Sequence, residues 1–206
     1  MKRLLVTGGC GKFGSKIAIS AMPFYEVDVI DNLSSGDLSN LGSRSDFRTC
    51  PVSMIENFPN EKRSEMILAI TGDFADPKIL SRIRSGYYDS VIHSAFFSEC
   101  TNDFPIESFE NEAYKTIALI WSCFASKSYL VLNQRETLEK ISQINNEIIN
   151  AYLKHPRLSE LKFGKVLYSL KQIYEQGLTN CYIEDVAYAN LSLCKSLVSK
   201  REFVLK

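Results

Sequence analysis

The sequence predicts a three-layer α/β domain on a doubly wound, mostly parallel sheet of about six or seven strands. Three observations carry this expectation. Short apolar strand-forming runs alternate with helix-forming stretches along most of the chain. Their apolar residues, flanked by turn formers, suit strands of a parallel sheet covered on both faces. The first run, Leu4-Leu5-Val6, enters a glycine-rich turn and then a helical pattern, the entry of a βαβ unit.

The elements follow in order. After Leu4–Val6, Lys12 to Ala21 reads as a helix stopped near Pro23, and Val27 to Asp31 as the second strand. Residues 32–64, rich in Ser, Asn, Gly and Pro, read as a long irregular excursion with one short helix. Met66 to Ile70 is the third strand. Asp76-Pro77 then opens a helix, with Asp as cap and Pro in the first turn. Ser90 to Ala95 is the fourth strand, Pro105 to Lys127 a helix and Tyr129 to Leu132 the fifth strand. Thr137 to Lys154 forms a helix closed by His155-Pro156, and its stripe Ile141, Ile144, Ile148, Ile149 and Tyr152 reads as core, or alternatively as a dimer face. The stretch 160–180 has no clear period. Glu184 to Ser199 is a helix and Glu202 to Leu205 a last strand.

The 206 residues suit a single domain, 1–206. Net charge is zero, which argues against a broad nucleic-acid or membrane surface, and no apolar run approaches the roughly 20 residues of a membrane span. Six cysteines form no C-x-x-C pair and only two histidines are present, so no metal site is expected. Lys2 and Arg3 precede too few apolar residues for a signal peptide, so a reduced, cytoplasmic protein is expected.

Gly9-Cys10-Gly11-Lys12-Phe13-Gly14 satisfies G-x-G-x-x-G, and Gly8, Gly11 and Gly14 satisfy G-x-x-G-x-x-G. Such a turn needs one glycine for its sharp bend, one for the approach of a pyrophosphate and one for close helix packing. The free N–H groups of the helix start then face the anion. The second strand ends in Asp31, 17 residues beyond Gly14, at the spacing of a ribose-binding acid that accepts from both hydroxyls and repels a 2′-phosphate. This pattern points to NAD.

Four stretches extend the pattern: TGGCGKFG, VDVIDNLSSGDLSNL, GDFAD at Gly72 to Asp76, and VIHSAF at Val91 to Phe96. A fifth, CYIEDVAYANLSLCKS with the closing EFVLK, lies near the C-terminus. Together these resemble the extended short-chain dehydrogenase/reductases, and within them the NAD-dependent epimerase/dehydratases of the UDP-glucose 4-epimerase kind. Residues 1–133 match well, 134–180 diverge and 181–206 match again. The resemblance implies a Rossmann fold with a reduced or absent substrate domain, and NAD as cofactor. It implies that Gly8, Gly11 and Gly14, with Lys12 and Phe13 between them, line the pyrophosphate. Asp31 and Asn32 would hold the adenosine ribose, with Ser34, Ser35 and Gly36 close by. Asp73 and Phe74 would flank the adenine, and Ala95 and Phe96 would pass beside the pyrophosphate or nicotinamide ribose. Phe96 stands where the family has a small residue. Asp73 has a second reading as a turn or cap residue. His93 reads as a satisfied strand histidine rather than a catalyst.

The family's chemistry needs a tyrosine and a lysine four apart on one helical face, the ammonium lowering the phenol from its usual pKa of about 10. None of the ten tyrosines here has a lysine four residues on. The fifth strand ends in Asn133-Gln134 where the family has Ser or Thr. Only about 50 residues separate Leu132 from Tyr182, roughly half the family's span, and the sequence ends where relatives continue. Tyr168 and Lys171, three apart, are the weak substitute pair, on the supposition that they share a helical face. Three functions therefore stand open. They are an NAD-binding relative with weak or no epimerase activity, an active enzyme on a sugar nucleotide with non-standard residues, and a partner subunit without cofactor. The expected ligands are a dinucleotide and a nucleotide sugar, with a homodimer allowed and no nucleic acid or membrane.

Overall fold

A computed structural model describes residues 1–57, 66–95, 106–136, 140–169, 179–196 and 201–204. Its elements run β1 (Lys2–Thr7), α1 (Lys12–Ala21), β2 (Tyr25–Asp31), β3 (Phe47–Pro51), β4 (Ile67–Thr71), α2 (Pro77–Arg84) and β5 (Ser90–His93). They continue with α3 (Ile106–Ser126), β6 (Tyr129–Glu136), α4 (Lys140–Leu153), β7 (Phe163–Ser169), α5 (Thr179–Ser196) and β8 (Arg201–Val204). The strands form one sheet in the order β3-β4-β2-β1-β5-β6-β7-β8, parallel at every pairing. The doubly wound architecture is as the alternation predicted.

Neighbouring residues of each strand feed opposite layers. Leu4, Val6, Val27, Val29, Ile92 and Val131 face a layer made by α1 and α5. Leu5, Ile30, Leu68, Val91, Leu130 and Leu132 face a layer made with α2, α3 and α4. Both faces are thus covered, which is why the strands read as predominantly apolar runs. Asp76 caps α2 as expected, its Oδ1 accepting from the Lys78 N–H at 2.8 Å ahead of a proline in the first turn.

Two strands come from segments the sequence left unassigned. β3 sits at the edge of the sheet inside the 32–64 excursion, and it is short, partly exposed and ends in proline, the habits of an edge strand. β7 fills the middle of the ambiguous 160–180 stretch between β6 and β8. Its Gly164 and Lys165 interrupt the apolar run that would have announced it. The stripe on α4 divides: Ile149 and Tyr152 pack against the core, whereas Ile148 is exposed. The side chains of Ile141 and Ile144 lie outside the described residues. Cys10, Cys123 and Cys194 are free thiols.

From β1 the chain winds one way to β2 and β4 and later the other way through β5, β6, β7 and β8. The winding direction therefore reverses between β1 and β5, and a crevice opens at their carboxyl ends, where sheets of this kind hold ligands.

Candidate functional site

The glycine turn sits at that reversal. Gly8 has φ +66°, and a Cβ on it would lie 2.6 Å from the Ser94 carbonyl oxygen and 2.7 Å from Ala95 Cα. The turn after β1 is thus pressed against the end of β5 with no room for a side chain. A Cβ on Gly14 would lie 2.1 Å from the Gly8 carbonyl oxygen, so α1 begins directly on the turn. The Gly8 N–H donates to the Ile30 carbonyl at 2.8 Å and the Gly11 N–H to the Gly8 carbonyl at 3.1 Å, which sets the bend. No side chain caps α1 at Gly11. Its first-turn N–H groups have no acceptor within the helix, and the positive end of the helix dipole lies there. Lys12 is exposed and Phe13 packs partly against the core.

Asp31 closes β2 beside this turn. Its Oδ2 accepts from the Cys10 N–H at 2.9 Å and its Oδ1 from the Leu33 N–H at 2.8 Å. The Cys10 carbonyl in return accepts from the Asp37 N–H at 3.0 Å and from Asn40 Nδ2 at 2.7 Å. The loop carrying Asn32, Ser34, Ser35 and Gly36 is therefore fastened to the glycine turn at both ends. Sequence reasoning missed this fastening, and Asn40 with it, because the hydrogen bonds to Cys10 join residues 21 to 30 apart. Burial, and next the charge of Asp31, push the Cys10 thiol up to about 12, so it stays neutral and is no nucleophile.

One strand further out, the Gly72 N–H donates to the Asp31 carbonyl at 2.9 Å, which sets Asp73 next to Asp31 along the sheet edge. Asp73 Oδ1 accepts from the Ala75 N–H at 2.9 Å, the turn role that was its second reading, and Oδ2 pairs with Lys115 of α3. Phe74 turns its ring edge to His93 at 4.9 Å between centroids. His93 has Thr7 Oγ1 2.7 Å from Nδ1 and Thr116 Oγ1 3.3 Å from Nε2. Burial lowers its pKa to about 4. Neutral, enclosed and hydrogen-bonded on both nitrogens, it is the satisfied strand histidine the sequence suggested. Ala95 abuts Gly8, and Phe96 lies outside the described residues.

Beyond β5, polar side chains among the described residues bond to one another. Asn133, inside β6 one residue past the level where β5 stops, donates to the His93 carbonyl at 3.2 Å and to Asn190 Oδ1 at 3.1 Å. Asn190 donates back to Asn133 Oδ1 and to the Val186 carbonyl, both at 2.8 Å. This reciprocal amide pair is fully enclosed and ties β5, β6 and α5 together. Gln134 reaches Asn150 of α4 at 3.4 Å, and Asn150 also accepts from Lys165 of β7. The one tyrosine of α4, Tyr152, accepts from Trp121 Nε1 at 3.2 Å. Tyr168 requires a correction. It lies in β7, in register with Arg135 of β6, so it shares no helical face with Lys171, which falls outside the described residues. Among the described residues no group of three or more metal-ligating side chains occurs, and no helix is long and apolar enough to cross a membrane.

The groups at the β1–β5 reversal fit an adenine dinucleotide on geometry alone. The turn excludes side chains, the N-cap residue of α1 is a glycine that brings no capping side chain, and a carboxylate stands at the neighbouring strand tip. No protein-family model matches the chain, and no curated protein matches it. Solved structures do. The Bordetella bronchiseptica enzyme WbmH, in complex with NAD+, aligns over 100% of this chain and 75% of its own at TM-score 0.65 and 16% identity. UDP-glucose 4-epimerase from Brucella ovis, in complex with NAD, aligns over 100% and 77% at TM-score 0.64 and 15% identity. UDP-N-acetylglucosamine 4-epimerase from Methanobrevibacter ruminantium, in complex with UDP-N-acetylmuramic acid, aligns over 99% and 76% at TM-score 0.68 and 14% identity. At such identities the likeness is one of fold: this chain has the fold of the UDP-sugar 4-epimerases.

Proposed function

We propose that this protein is an NAD-binding member of the nucleotide-sugar epimerase/dehydratase family with weak or no epimerase activity. The observation that carries the first half is the junction of β1, α1 and β5. There Gly8 and Gly14 leave backbone where any side chain would collide, and the N-cap residue of α1, Gly11, brings no capping side chain. Gly8, Gly11 and Gly14 would hold the diphosphate, and Asp31 the adenosine ribose. Bound NAD supplies a reversible hydride acceptor. The chain's own part is to hold the anion on α1, to orient the ribose by a carboxylate already fixed by two backbone N–H groups, and to discriminate against a 2′-phosphate there.

The second half rests on β6 and β7. No tyrosine in the sequence has a lysine four residues on, and Tyr168 belongs to a strand. Asn133 is committed to Asn190. A proton acceptor for a sugar hydroxyl needs a group whose pKa can be brought near working pH, and a paired amide is not one. A nucleotide sugar as second ligand belongs to the same proposal, supported by the UDP sugar that a protein of this fold holds.

Isothermal titration with NAD tests the first half: saturable heat and a raised melting temperature are expected, and the absence of both refutes it. The second half is tested by incubating the NAD-loaded protein with UDP-glucose and UDP-N-acetylglucosamine and following sugar inversion and NADH absorbance. Background turnover is expected; steady inversion at ordinary enzymatic rates refutes it.

A further inference from the structure

We infer that Lys115, with Asp73, forms a two-point reader for the edge of the adenine base; the inference rests on the NAD reading above. The placement follows from the sheet. A ribose held at Asp31 has its diphosphate on the side of the glycine turn, so its base extends the other way, over the end of β4. Asp73 lies there, two residues past Thr71, the register partner of Asp31. The carboxylate is held by the Ala75 N–H on one oxygen and by Lys115 on the other. Lys115 reaches it from α3, whose next residue, Thr116, is anchored in the interior by His93.

The pair is neither buried nor spent. The side chains of Lys115 and Asp73 retain 34% and 38% of their exposure, so a ligand can reach both. A carboxylate offers about four acceptor positions and an ammonium three donors. Among the described residues, Asp73 Oδ1 and Oδ2 use one position each and Lys115 uses one donor. An acceptor with open lone pairs therefore stands directly beside a donor with open hydrogens. The edge of adenine presents the complement, the N6 amino hydrogens next to the N1 acceptor. Asp73 accepts from N6 and Lys115 donates to N1. Lys115 escaped sequence reasoning because it is 42 residues from Asp73 and belongs to no motif.

NAD and its 1,N6-etheno analogue, in which the added ring removes both the N6 hydrogens and the N1 acceptor, test the inference by calorimetry. The wild-type protein is expected to bind the analogue about a hundredfold more weakly, the scale of two charge-assisted hydrogen bonds. Lys115→Met should weaken NAD by about tenfold and leave the analogue within about twofold, and Lys115→Arg should restore part of the loss. Equal weakening of both dinucleotides would mean that Lys115 acts on the diphosphate by charge alone. Tighter NAD binding by Lys115→Met would mean that Lys115 competes with the base. Unchanged affinity would mean that it does not touch the ligand; each of these overturns the inference and leaves NAD binding standing. Failure of the wild-type protein to bind either dinucleotide overturns the NAD reading itself.

Discussion

The turn between β1 and α1 and the middle of β6 belong to one sheet but use their polar groups in opposite ways. At the first, backbone N–H groups and a carboxylate are held in place by neighbours that leave part of their hydrogen-bonding capacity open. Among the described residues the Asp31 carboxylate uses two of its roughly four acceptor positions to fix the turn, and Gly11, the N-cap residue of α1, brings no capping side chain. At the second, side-chain amides close on one another, Asn133 with Asn190 and Gln134 with Asn150. The difference teaches that a polar residue at a ligand-binding edge is not in itself a site. What matters is whether its capacity is open toward the crevice or closed within the protein.

The largest effect expected of a single change is at Gly14. Its Cβ would lie 2.1 Å from backbone that cannot yield, so Gly14→Ala should cost on the order of 3 kcal/mol and abolish NAD binding. Normal melting with normal binding would break the claim that the junction is close-packed. An effect of similar size is expected from acid. His93 is held neutral with a pKa of about 4, against 6.5 in the unfolded chain, so the unfolded state binds the extra proton between those values. Stability should fall as pH drops through 6.5 toward 4, by roughly 3 kcal/mol at the lower limit. Urea melts across that window should show a shallower slope in His93→Gln, and identical slopes would return the histidine to the solvent.

The closed end is probed by Asn190→Ala, which strands the amide of Asn133 in the interior and should cost about 2 kcal/mol. A paired Asn133→Leu, Asn190→Leu variant should recover part of that loss, and a double-mutant cycle with no coupling would deny the pair. The smallest effect sharpens the open end. Asp31→Asn should weaken NAD by about tenfold while narrowing its advantage over NADP, as calorimetry with both would show. An unchanged preference would remove the carboxylate from the ribose.

How much of this was legible in the sequence follows from the range of the forces. Local rules sufficed for the glycine turn, the Asp76 cap of α2 and the double winding, because φ preference, capping and apolar runs act over a few residues. They also sufficed to place Asp31 at a strand tip beside that turn. Tertiary structure alone decided what each of those groups touches. β3 and β7 are strands because neighbours pair with them, although neither FRTCP nor FGKVLYS has a strand's pattern. Pairing supplies backbone hydrogen bonds that no local propensity encodes. The partners of Asp73, Asn133 and His93 lie 42, 57, and 86 and 23 residues away. Nothing in a single sequence measures such distances, since side chains that far apart meet only once the sheet and its helices have closed around them.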